Sequence, residues 1–288
     1  MLGLIESSPA LTLASAFAFG LLLGSFLNVV ILRLPRRLEW QWRRDCREML
    51  ELPAEDGPAP PGIVIERSRC PHCGHALAAW ENIPLLSFVL LRGRCRQCGA
   101  TISWQYPLVE LVTGLMVMAC VWRFGLTWEG AGAVVFTGFL VALAGIDLRT
   151  TLLPDQLTYP LLWLGLLASL VTLYVAPPAA ILGAVAGYLS LWSVYWLFKL
   201  LTGKEGMGYG DFKLLAALGA WCGAKAILPI VLLSSLIGAI VGSAWLALKG
   251  RDRATPIPFG PYLALAGWVE LVFQPDLLGA YARWAGLA

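Results

Sequence analysis

Two aspartates are the residues of this sequence most suited to chemistry, because each lies at the end of an apolar run long enough to cross a lipid bilayer. Asp147 follows the run 129–146, and Asp211 closes the stretch Gly206-Met207-Gly208-Tyr209-Gly210-Asp211. A carboxylate at the edge of a membrane helix is costly, so each is a candidate functional group. Two carboxyls that share one proton could activate a water molecule for hydrolysis of a peptide bond.

Structural roles for the same aspartates remain open alternatives. Asp147 could anchor a helix end at the interface beside Arg149, and Asp211 could pair with Lys213 or cap the helix that follows it. The three glycines before Asp211 favour the catalytic interpretation. They permit unusual backbone angles and the close approach of an extended peptide.

The composition indicates where these aspartates work. Of the 288 residues, 58% are hydrophobic and only 14% are charged, against about a quarter charged in soluble domains. The net charge of +3 is too small to indicate a nucleic-acid partner. We predict an all-α polytopic membrane protein in contact with membrane lipids, with about eight transmembrane helices. The apolar runs are 10–32, 106–123, 129–146, 157–176, 178–201, 212–224, 226–248 and 258–274.

Charge placement predicts the orientation of these spans. Eleven of the 21 lysines and arginines fall in the segment 33–105. If this segment is cytoplasmic, eight spans leave only Arg123, Lys225 and Arg283 on the opposite side, in agreement with the positive-inside rule. The weakest span is 212–224, which is short enough to be re-entrant. We count it as a span because the basic cluster 249–253 would otherwise face outward.

The same count places both aspartates on one face. Two complete spans lie between Asp147 and Asp211, so both emerge on the cytoplasmic side. We therefore divide the chain into a first transmembrane helix (1–32), a cytoplasmic insert (33–105) and a membrane-embedded helical bundle (106–288).

The insert contains two Cys-x-x-Cys motifs, Cys70-Pro71-His72-Cys73 and Cys95-Arg96-Gln97-Cys98. Each motif can supply two corners of a tetrahedral zinc site, so Cys70, Cys73, Cys95 and Cys98 predict a zinc ribbon over 70–98. Two disulfides are the competing interpretation, which a reducing cytoplasm disfavours. Four thiolates leave no open position on the metal, so we expect the zinc to be structural.

The two histidines restrict the possible hydrolytic chemistry, because His72 and His75 both lie in the cysteine motif. No His-Glu-x-x-His motif is present for a zinc protease, and no histidine is near a membrane-embedded serine. Carboxylates remain as the hydrolytic candidates. Among the others, we expect Asp155 to be a helix N-cap, Glu110 to face the bundle as a supporting or substrate-binding group, and Glu270 to lie at the membrane interface.

Four sequence blocks resemble the bacterial type IV prepilin peptidases, and the resemblance covers almost the whole chain. The blocks are Gly24–Pro35, the paired cysteine motifs, Asp147–Asp155 and Gly208-Tyr209-Gly210-Asp211-Phe212-Lys213-Leu214. The last is similar to the Gly-x-Gly-Asp signature that the family shares with presenilin-type proteases. The catalytic pattern shows no departure from the family's.

The resemblance implies a specific activity. Family members cleave the basic leader from type IV prepilins and type II secretion pseudopilins at the cytoplasmic face of the bacterial inner membrane. Many then methylate the new N-terminal residue with S-adenosylmethionine. By motif match, Asp147 and Asp211 become the catalytic pair, and the four cysteines match the larger, bifunctional members.

The methyl-donor site is not assigned by the sequence, since no glycine-rich nucleotide loop follows a strand. Only the insert and the loops that would face it, including Pro258–Pro261, are candidates. Two other functions remain: a transporter or channel whose carboxylates relay protons, or a non-catalytic assembly factor that docks through the insert.

Overall fold

The computed structural model describes residues 8–53, 57–64, 66–249 and 258–284, with side chains described up to Ala244 and again from 258 to Phe273. Within those ranges the regular structure is helical, with two isolated β-bridges and no strand, as predicted. The helices are α1 (Pro9–Met49), α2 (Leu86–Leu90), α3 (Gln105–Phe124), α4 (Trp128–Thr150), α5 (Asp155–Leu170), α6 (Pro177–Thr202), α7 (Tyr209–Cys222), α8 (Ile227–Lys249) and α9 (Gly260–Trp284). Short 3₁₀ helices cover Ala79–Asn82 and Ala224–Ala226.

Five of the described helical segments are long and apolar enough to cross a membrane. The apolar part of α9, Gly260–Phe273, is shorter, and α5 and α7 have 16 and 14 residues. The polytopic architecture is therefore supported, whereas the predicted count of eight spans is not confirmed. The basic cluster 249–253 used in the orientation argument lies outside the residues whose side chains are described. The five segments are Pro9–Met49, Gln105–Phe124, Trp128–Thr150, Pro177–Thr202 and Ala224–Ala244.

The chain forms two compact units, Met1–Trp122 and Arg123–Ala288. In the first unit, α1 is one helix of 41 residues that runs from the predicted transmembrane segment into the insert, through Pro35. Arg33 donates hydrogen bonds to the carbonyls of Gly62 and Glu66 and so holds the following loop against this helix.

Small residues bring α1 and α3 close together in the first unit. A Cβ at Gly20 would lie 2.8 Å from Gly114 Cα, and one at Gly24 would lie 2.7 Å from Glu110 Cα. One turn further along the same face of α1, the Asn28 amide donates to the Tyr106 carbonyl at 3.1 Å. Close glycine contacts of this kind are typical of helices packed within membranes.

The second unit is organised around α7, which packs against α5, α6 and α9. From Asp211 to Cys222 every residue of α7 except Lys213 is buried. A Cβ at Gly183 of α6 would overlap the carbonyl of Gly219, and one at Gly187 would lie 2.5 Å from the carbonyl of Leu215. A helix that is buried on all sides belongs to the centre of a bundle, and α7 carries Asp211 there.

Candidate active site and metal centre

Asp147 lies in the last turn of α4 and is 4% exposed. Its carboxylate Oδ2 accepts a hydrogen bond of 2.9 Å from the backbone amide of Gly260, the first residue of α9. The first amides of a helix have no partner within the helix and carry partial positive charge, so this helix end suits a carboxylate. A Cβ at Gly260 would lie only 2.7 Å from Oδ2, so a residue without a side chain is required there.

Asp211 is the third residue of α7 and is 7% exposed. Its backbone amide donates to the carbonyl of Gly208, the N-cap residue of α7, at 3.3 Å. The sequence interpretation that Asp211 caps a helix beginning at Phe212 is therefore wrong, since α7 begins at Tyr209. Asp211 instead lies inside the first turn, where the helix end stabilises negative charge.

Leu153 connects the surroundings of the two aspartates. A Cβ at Gly210, next to Asp211, would lie 2.7 Å from Leu153 Cβ, and one at Gly260 would lie 3.1 Å from Leu153 Cδ2. The glycine beside one aspartate and the glycine bound to the other thus contact the same leucine. Asp147 and Asp211 are thus each linked to Leu153 through a neighbouring glycine.

Two of the glycines before Asp211 allow side chains of the protein to approach the backbone closely. A Cβ at Gly206 would lie 2.8 Å from the Phe198 ring, and Gly210 is in similarly close contact with Leu153. Neither glycine has a positive φ. The predicted unusual backbone angles are therefore not found at these two positions. The close approach of an extended peptide stays a prediction, since the observed contacts are with Phe198 and Leu153 of the chain itself.

A network of side chains that the sequence analysis did not identify holds the segment before Asp211. The hydroxyls of Tyr195 and Tyr209 lie 3.1 Å apart, and Lys199 Nζ donates to the Tyr195 hydroxyl at 3.2 Å. Lys199 also pairs with Glu205 at 2.8 Å. The loop between α6 and α7 is thereby tied to the last two turns of α6. The sequence signal was the spacing of four between Tyr195 and Lys199, which puts them on one helix face.

Asp155 forms an ion pair with Lys213 and does not act as the N-cap that the sequence predicted. It is the first residue of α5, Pro154 occupies the cap position, and no side-chain cap bond is present there. Both carboxylate oxygens of Asp155 accept from Lys213 Nζ, at 2.7 and 2.9 Å. Lys213 therefore pairs with Asp155 rather than with Asp211, and the pair joins the beginnings of α5 and α7.

The other two carboxylates are both buried. Glu110 is 7% exposed and accepts a hydrogen bond of 2.9 Å from the Leu85 amide, so it supports the fold of the insert. Glu270 is 4% exposed. Glu270 is therefore buried within the protein. Its expected place at the membrane interface concerns depth in the bilayer and stays a prediction.

The four cysteines of the insert converge. Their sulfur atoms all lie within 4.8 Å of one another. The Cys70 and Cys98 sulfurs are 3.8 Å apart, and those of Cys73 and Cys95 are 4.0 Å apart. A tetrahedron with Zn–S bonds of about 2.3 Å has sulfurs about 3.8 Å apart. Disulfide sulfurs would be only about 2.05 Å apart, so the geometry fits a metal and not two disulfides.

The two cysteine motifs repeat the same backbone hydrogen bonds. The Cys70 amide donates to the His75 carbonyl at 2.9 Å, and the Cys95 amide donates to the Ala100 carbonyl at 2.8 Å. A glycine with positive φ follows each second cysteine, Gly74 at 72° and Gly99 at 70°. Each motif is therefore Cys-x-x-Cys-Gly, a tight turn that glycine makes possible.

Backbone amides also prepare the thiols for a cation. Hydrogen bonds from the amides of Cys73 and His72 lower the pKa of the Cys70 thiol to about 7. Amides of Cys98 and Gln97 likewise lower the pKa of Cys95. The Ala100 amide acts in the same direction on Cys98, but burial and the neighbouring thiols outweigh it and raise the pKa of Cys98 to about 11. Thiolates are the metal-binding form of cysteine, so the turns favour that form at the first cysteine of each motif.

The His75 side chain makes a contact beside this cluster. His75 Nε2 lies 3.1 Å from Glu81 Oε2, and the same carboxylate oxygen accepts from the Ala78 amide at 2.7 Å. The Ala78 amide, aided by His75, holds the pKa of Glu81 below its ordinary value. The His75 side chain thus fastens the first turn to the following 3₁₀ helix.

Comparisons with known proteins agree with both parts of the chain. Residues 18–124 match the bacterial peptidase A24 N-terminal domain, and residues 134–243 match the type IV leader peptidase family. A protein of Xanthomonas campestris pv. campestris is 63% identical over 98% of this chain and 99% of its own length. A protein of Stutzerimonas stutzeri is 50% identical over 98% of this chain and 98% of its own length. A protein of Pseudomonas aeruginosa is also 50% identical, over 99% of this chain and 99% of its own length.

All three relatives carry the name prepilin leader peptidase/N-methyltransferase. No solved structure matches the chain at the level of significance applied to these relatives. The matches confirm the predicted family and enzyme class, a protease combined with a methyltransferase, and with the apolar helices they indicate a multi-pass membrane protein. This chain belongs to the type IV leader peptidase family.

Proposed function

We propose that this protein cleaves the basic leader from type IV prepilins and type II secretion pseudopilins, with Asp147 and Asp211 as the catalytic pair. The observation that carries the proposal is two buried carboxyls at the ends of two apolar helices, each next to a glycine that lies against Leu153. Ionisable groups are rare in such helices unless they have a function. The names of the relatives supply the substrate class.

The proposed orientation follows from the positive-inside count. Eight spans in the bacterial inner membrane place the insert and both aspartates on the cytoplasmic side. A prepilin is itself an apolar membrane helix whose leader lies in the cytoplasm. A pair of aspartates at the cytoplasmic edge of the bundle meets the leader junction where that helix enters water, so cleavage needs no deep water channel.

The two aspartates would divide the work of hydrolysis. Gly260 donates a hydrogen bond to Asp147, and such a bond stabilises a carboxylate. We assign Asp147 as the base that takes a proton from the attacking water, and Asp211 as the acid that protonates the scissile carbonyl oxygen. When the tetrahedral intermediate collapses, the C–N bond breaks and the proton held by Asp147 moves to the leaving amine. A hydroxyl proton of the intermediate returns to Asp211 as the new carboxyl group forms, which restores the starting protonation of the pair. The pair titrates as a unit, so measured pKa values belong to both residues.

We propose that Cys70, Cys73, Cys95 and Cys98 hold one structural zinc ion that stabilises the insert. Their sulfur separations and the amide hydrogen bonds to them support this assignment. A zinc ion would cross-link the two turns, which otherwise share few buried side chains. Its coordination by four thiolates leaves it without a catalytic position.

The second proposed activity is methylation of the new N-terminal residue with S-adenosylmethionine as donor, which the relatives' names support. No residue is assigned to the donor. The loop Pro258–Pro261, a candidate from the sequence, contains the Gly260 amide that binds Asp147. The contact observed for this loop is therefore with a proposed catalytic residue, and it gives no support for a methyl-donor site there.

The test uses purified protein in lipid, a prepilin substrate and labelled S-adenosylmethionine, with products identified by mass. We expect leader cleavage followed by a mass increase of one methyl group. Asp147→Asn and Asp211→Asn should each abolish cleavage, while the exposed Asp45→Asn on α1 should have no effect. Normal cleavage by either variant of the pair would falsify the proposed mechanism.

A further inference from the structure

The insert exposes large apolar side chains around the short helix α2. Leu86 is 50% exposed, Val89 69% and Leu90 63%, and Trp104, just before α3, is 75% exposed. We call these four residues together with Ile83 the apolar patch. Neighbouring apolar residues exposed in this way mark a surface that contacts a partner or a membrane.

The apolar patch continues into a surface that faces lipid. The rings of Phe88, in α2, and Trp104 lie 5.0 Å apart, so α2 packs beside the beginning of α3. The outer face of α3 then exposes further apolar side chains along a helix of transmembrane length, namely Leu108, Leu111, Val112 and Leu115. The patch and the lipid-facing side of α3 are therefore neighbours at the entry of the chain into the membrane.

A partly buried hydrogen bond fixes the depth of α2 relative to α3. The amide of Leu85, directly before α2, donates to the Glu110 carboxylate at 2.9 Å. Glu110 lies in about the second turn of α3, at 3.6 residues per turn. The beginning of α2 is thus held at the level of the first turns of α3, a helix of transmembrane length. This level is further along α3 than Trp104, the aromatic residue directly before that helix.

The backbone at this point is held in an unfavourable conformation. Leu85 has a φ of 57°, which non-glycine residues rarely adopt. Such strain persists where surrounding contacts over-determine it. The Glu110 hydrogen bond is one such contact, and it turns the chain so that Leu86, Val89 and Leu90 are exposed.

Basic residues follow the apolar patch. Arg92, Arg94 and Arg96 are exposed in the turn after α2, and the Arg96 guanidinium lies 5.3 Å from the Trp80 ring centroid. Apolar side chains with tryptophan on one side and arginines beside them are typical of segments in the interface of a membrane that contains anionic lipid. Arginine can reach lipid phosphates while its carbon chain stays in apolar surroundings.

We propose that α2 and the apolar patch are inserted in the interface of the same bilayer that α1 and α3 cross, with Arg92 and Arg94 bound to anionic headgroups. The occupant of the patch is thus lipid and not a protein. The zinc ribbon, whose two cysteine motifs lie before and after α2 in the sequence, is then held at the membrane surface rather than free in the cytoplasm. This inference depends on α1 and α3 crossing the membrane and not on the chemistry of the aspartates.

Two valines of the insert provide a matched test. Val89 belongs to the patch, whereas Val64 is 84% exposed and lies in the loop that Arg33 and Arg37 hold against α1. An environment-sensitive fluorescent amino acid is incorporated at one position or the other, which leaves the native cysteines intact. Each protein is reconstituted in nanodiscs with lipids brominated on the upper part of the acyl chains, and aqueous iodide serves as the opposing quencher.

We expect the probe at position 89 to be blue-shifted, quenched at least about twofold by brominated lipid and protected from iodide, with the opposite pattern at position 64. Equal accessibility to iodide at both positions would overturn the proposal. A probe at 89 that is insensitive to brominated lipid but shifts when prepilin is added would also overturn it, in favour of a protein-binding surface. Cleavage is measured in the same discs, so that loss of cleavage with retained quenching contradicts the peptidase assignment alone.

The arginines are tested separately. Arg92→Gln with Arg94→Gln should reduce the dependence of the position 89 signal on the fraction of anionic lipid, because two headgroup contacts are lost. Arg43→Gln with Arg44→Gln, two exposed arginines of α1, is the control and should leave that dependence unchanged. Equal effects of the two pairs would contradict the assigned headgroup contacts.

Discussion

The two units of this protein hold their functional groups in opposite ways. In the first unit, four cysteines converge through two short turns that are each complete within eight residues, Arg69–Ala76 and Arg94–Thr101. In the second, Asp147 and Asp211 are placed by packing between helices that are distant in sequence. The Gly260 amide that binds Asp147 is 113 residues away. The cysteine cluster therefore depends on local backbone geometry, and the aspartate pair depends on the whole bundle.

The largest expected effect concerns the aspartates as a pair. Asp147→Asn and Asp211→Asn should each lower the rate of leader cleavage by roughly 10³-fold or more, since either change removes one proton-transfer group. The double variant should be no worse than either single one, because groups that act as a unit are non-additive. Single-turnover cleavage in membranes is the measurement. Multiplicative losses in the double variant would show that the two residues act separately.

Removing the metal should affect the first unit and spare the second. Cys73→Ser should lower the zinc content from about one ion per chain to near zero and abolish methylation, while leader cleavage stays within about threefold of the unchanged protein. Elemental analysis and product mass measure the two outcomes. Cys46→Ser, at an exposed free cysteine of α1, is the control. Loss of cleavage along with the metal would contradict the independence of the two units.

Gly260→Ala tests the long-range placement of Asp147. The added methyl group would lie 2.7 Å from Asp147 Oδ2 and 3.1 Å from Leu153. We expect kcat for cleavage to fall by roughly 10- to 100-fold with little change in KM, because small displacements of a catalytic group are costly. Gly57→Ala, where an added Cβ meets nothing within 4 Å, should be neutral. A neutral Gly260→Ala would mean that α9 does not position the pair.

The smallest effect should come from the loop that precedes Asp211. Glu205→Gln breaks the pair with Lys199 but leaves Tyr195 and Tyr209 in contact. Because Glu205 is largely exposed, with its side chain at 65%, such a pair contributes little. We expect a decrease in kcat of about two- to threefold. Glu51→Gln, an exposed residue outside the network, is the control, and a much larger loss at Glu205 would assign it a direct role with substrate.

The contrast between the units also explains what the sequence could predict. The cysteine spacing is a local pattern, so it identified the cluster and its geometry. For the aspartates, counting of apolar runs predicted a shared face, and family motifs predicted a pair. The partners Gly260 and Leu153 carry no local signal, since they are brought to the pair only by the packing of α9 and by the turn after α4.

The contacts that the sequence did not predict have the same origin. The pattern Pro154-Asp155 was consistent with a helix cap, but Lys213 is 58 residues further along and takes the Asp155 carboxylate. Glu270 was expected at an interface because it lies near the end of an apolar run. Its burial depends on the face of α9 that packs inward. The sequence of a helix that is apolar on most sides does not show which face that is.

The uninterrupted α1 helix has a mechanical consequence for the insert. From Arg33 to Met49 it extends about 24 Å beyond the first basic residue, at 1.5 Å per residue. Arg33 and Arg37 fasten the following loop to this rod through the carbonyls of Gly62 and Pro60. A change of about 10° in the tilt of α1, the kind of response expected when bilayer thickness changes, would move Met49 sideways by about 4 Å. A change in membrane thickness that tilts α1 would therefore displace the cytoplasmic end of this helix sideways.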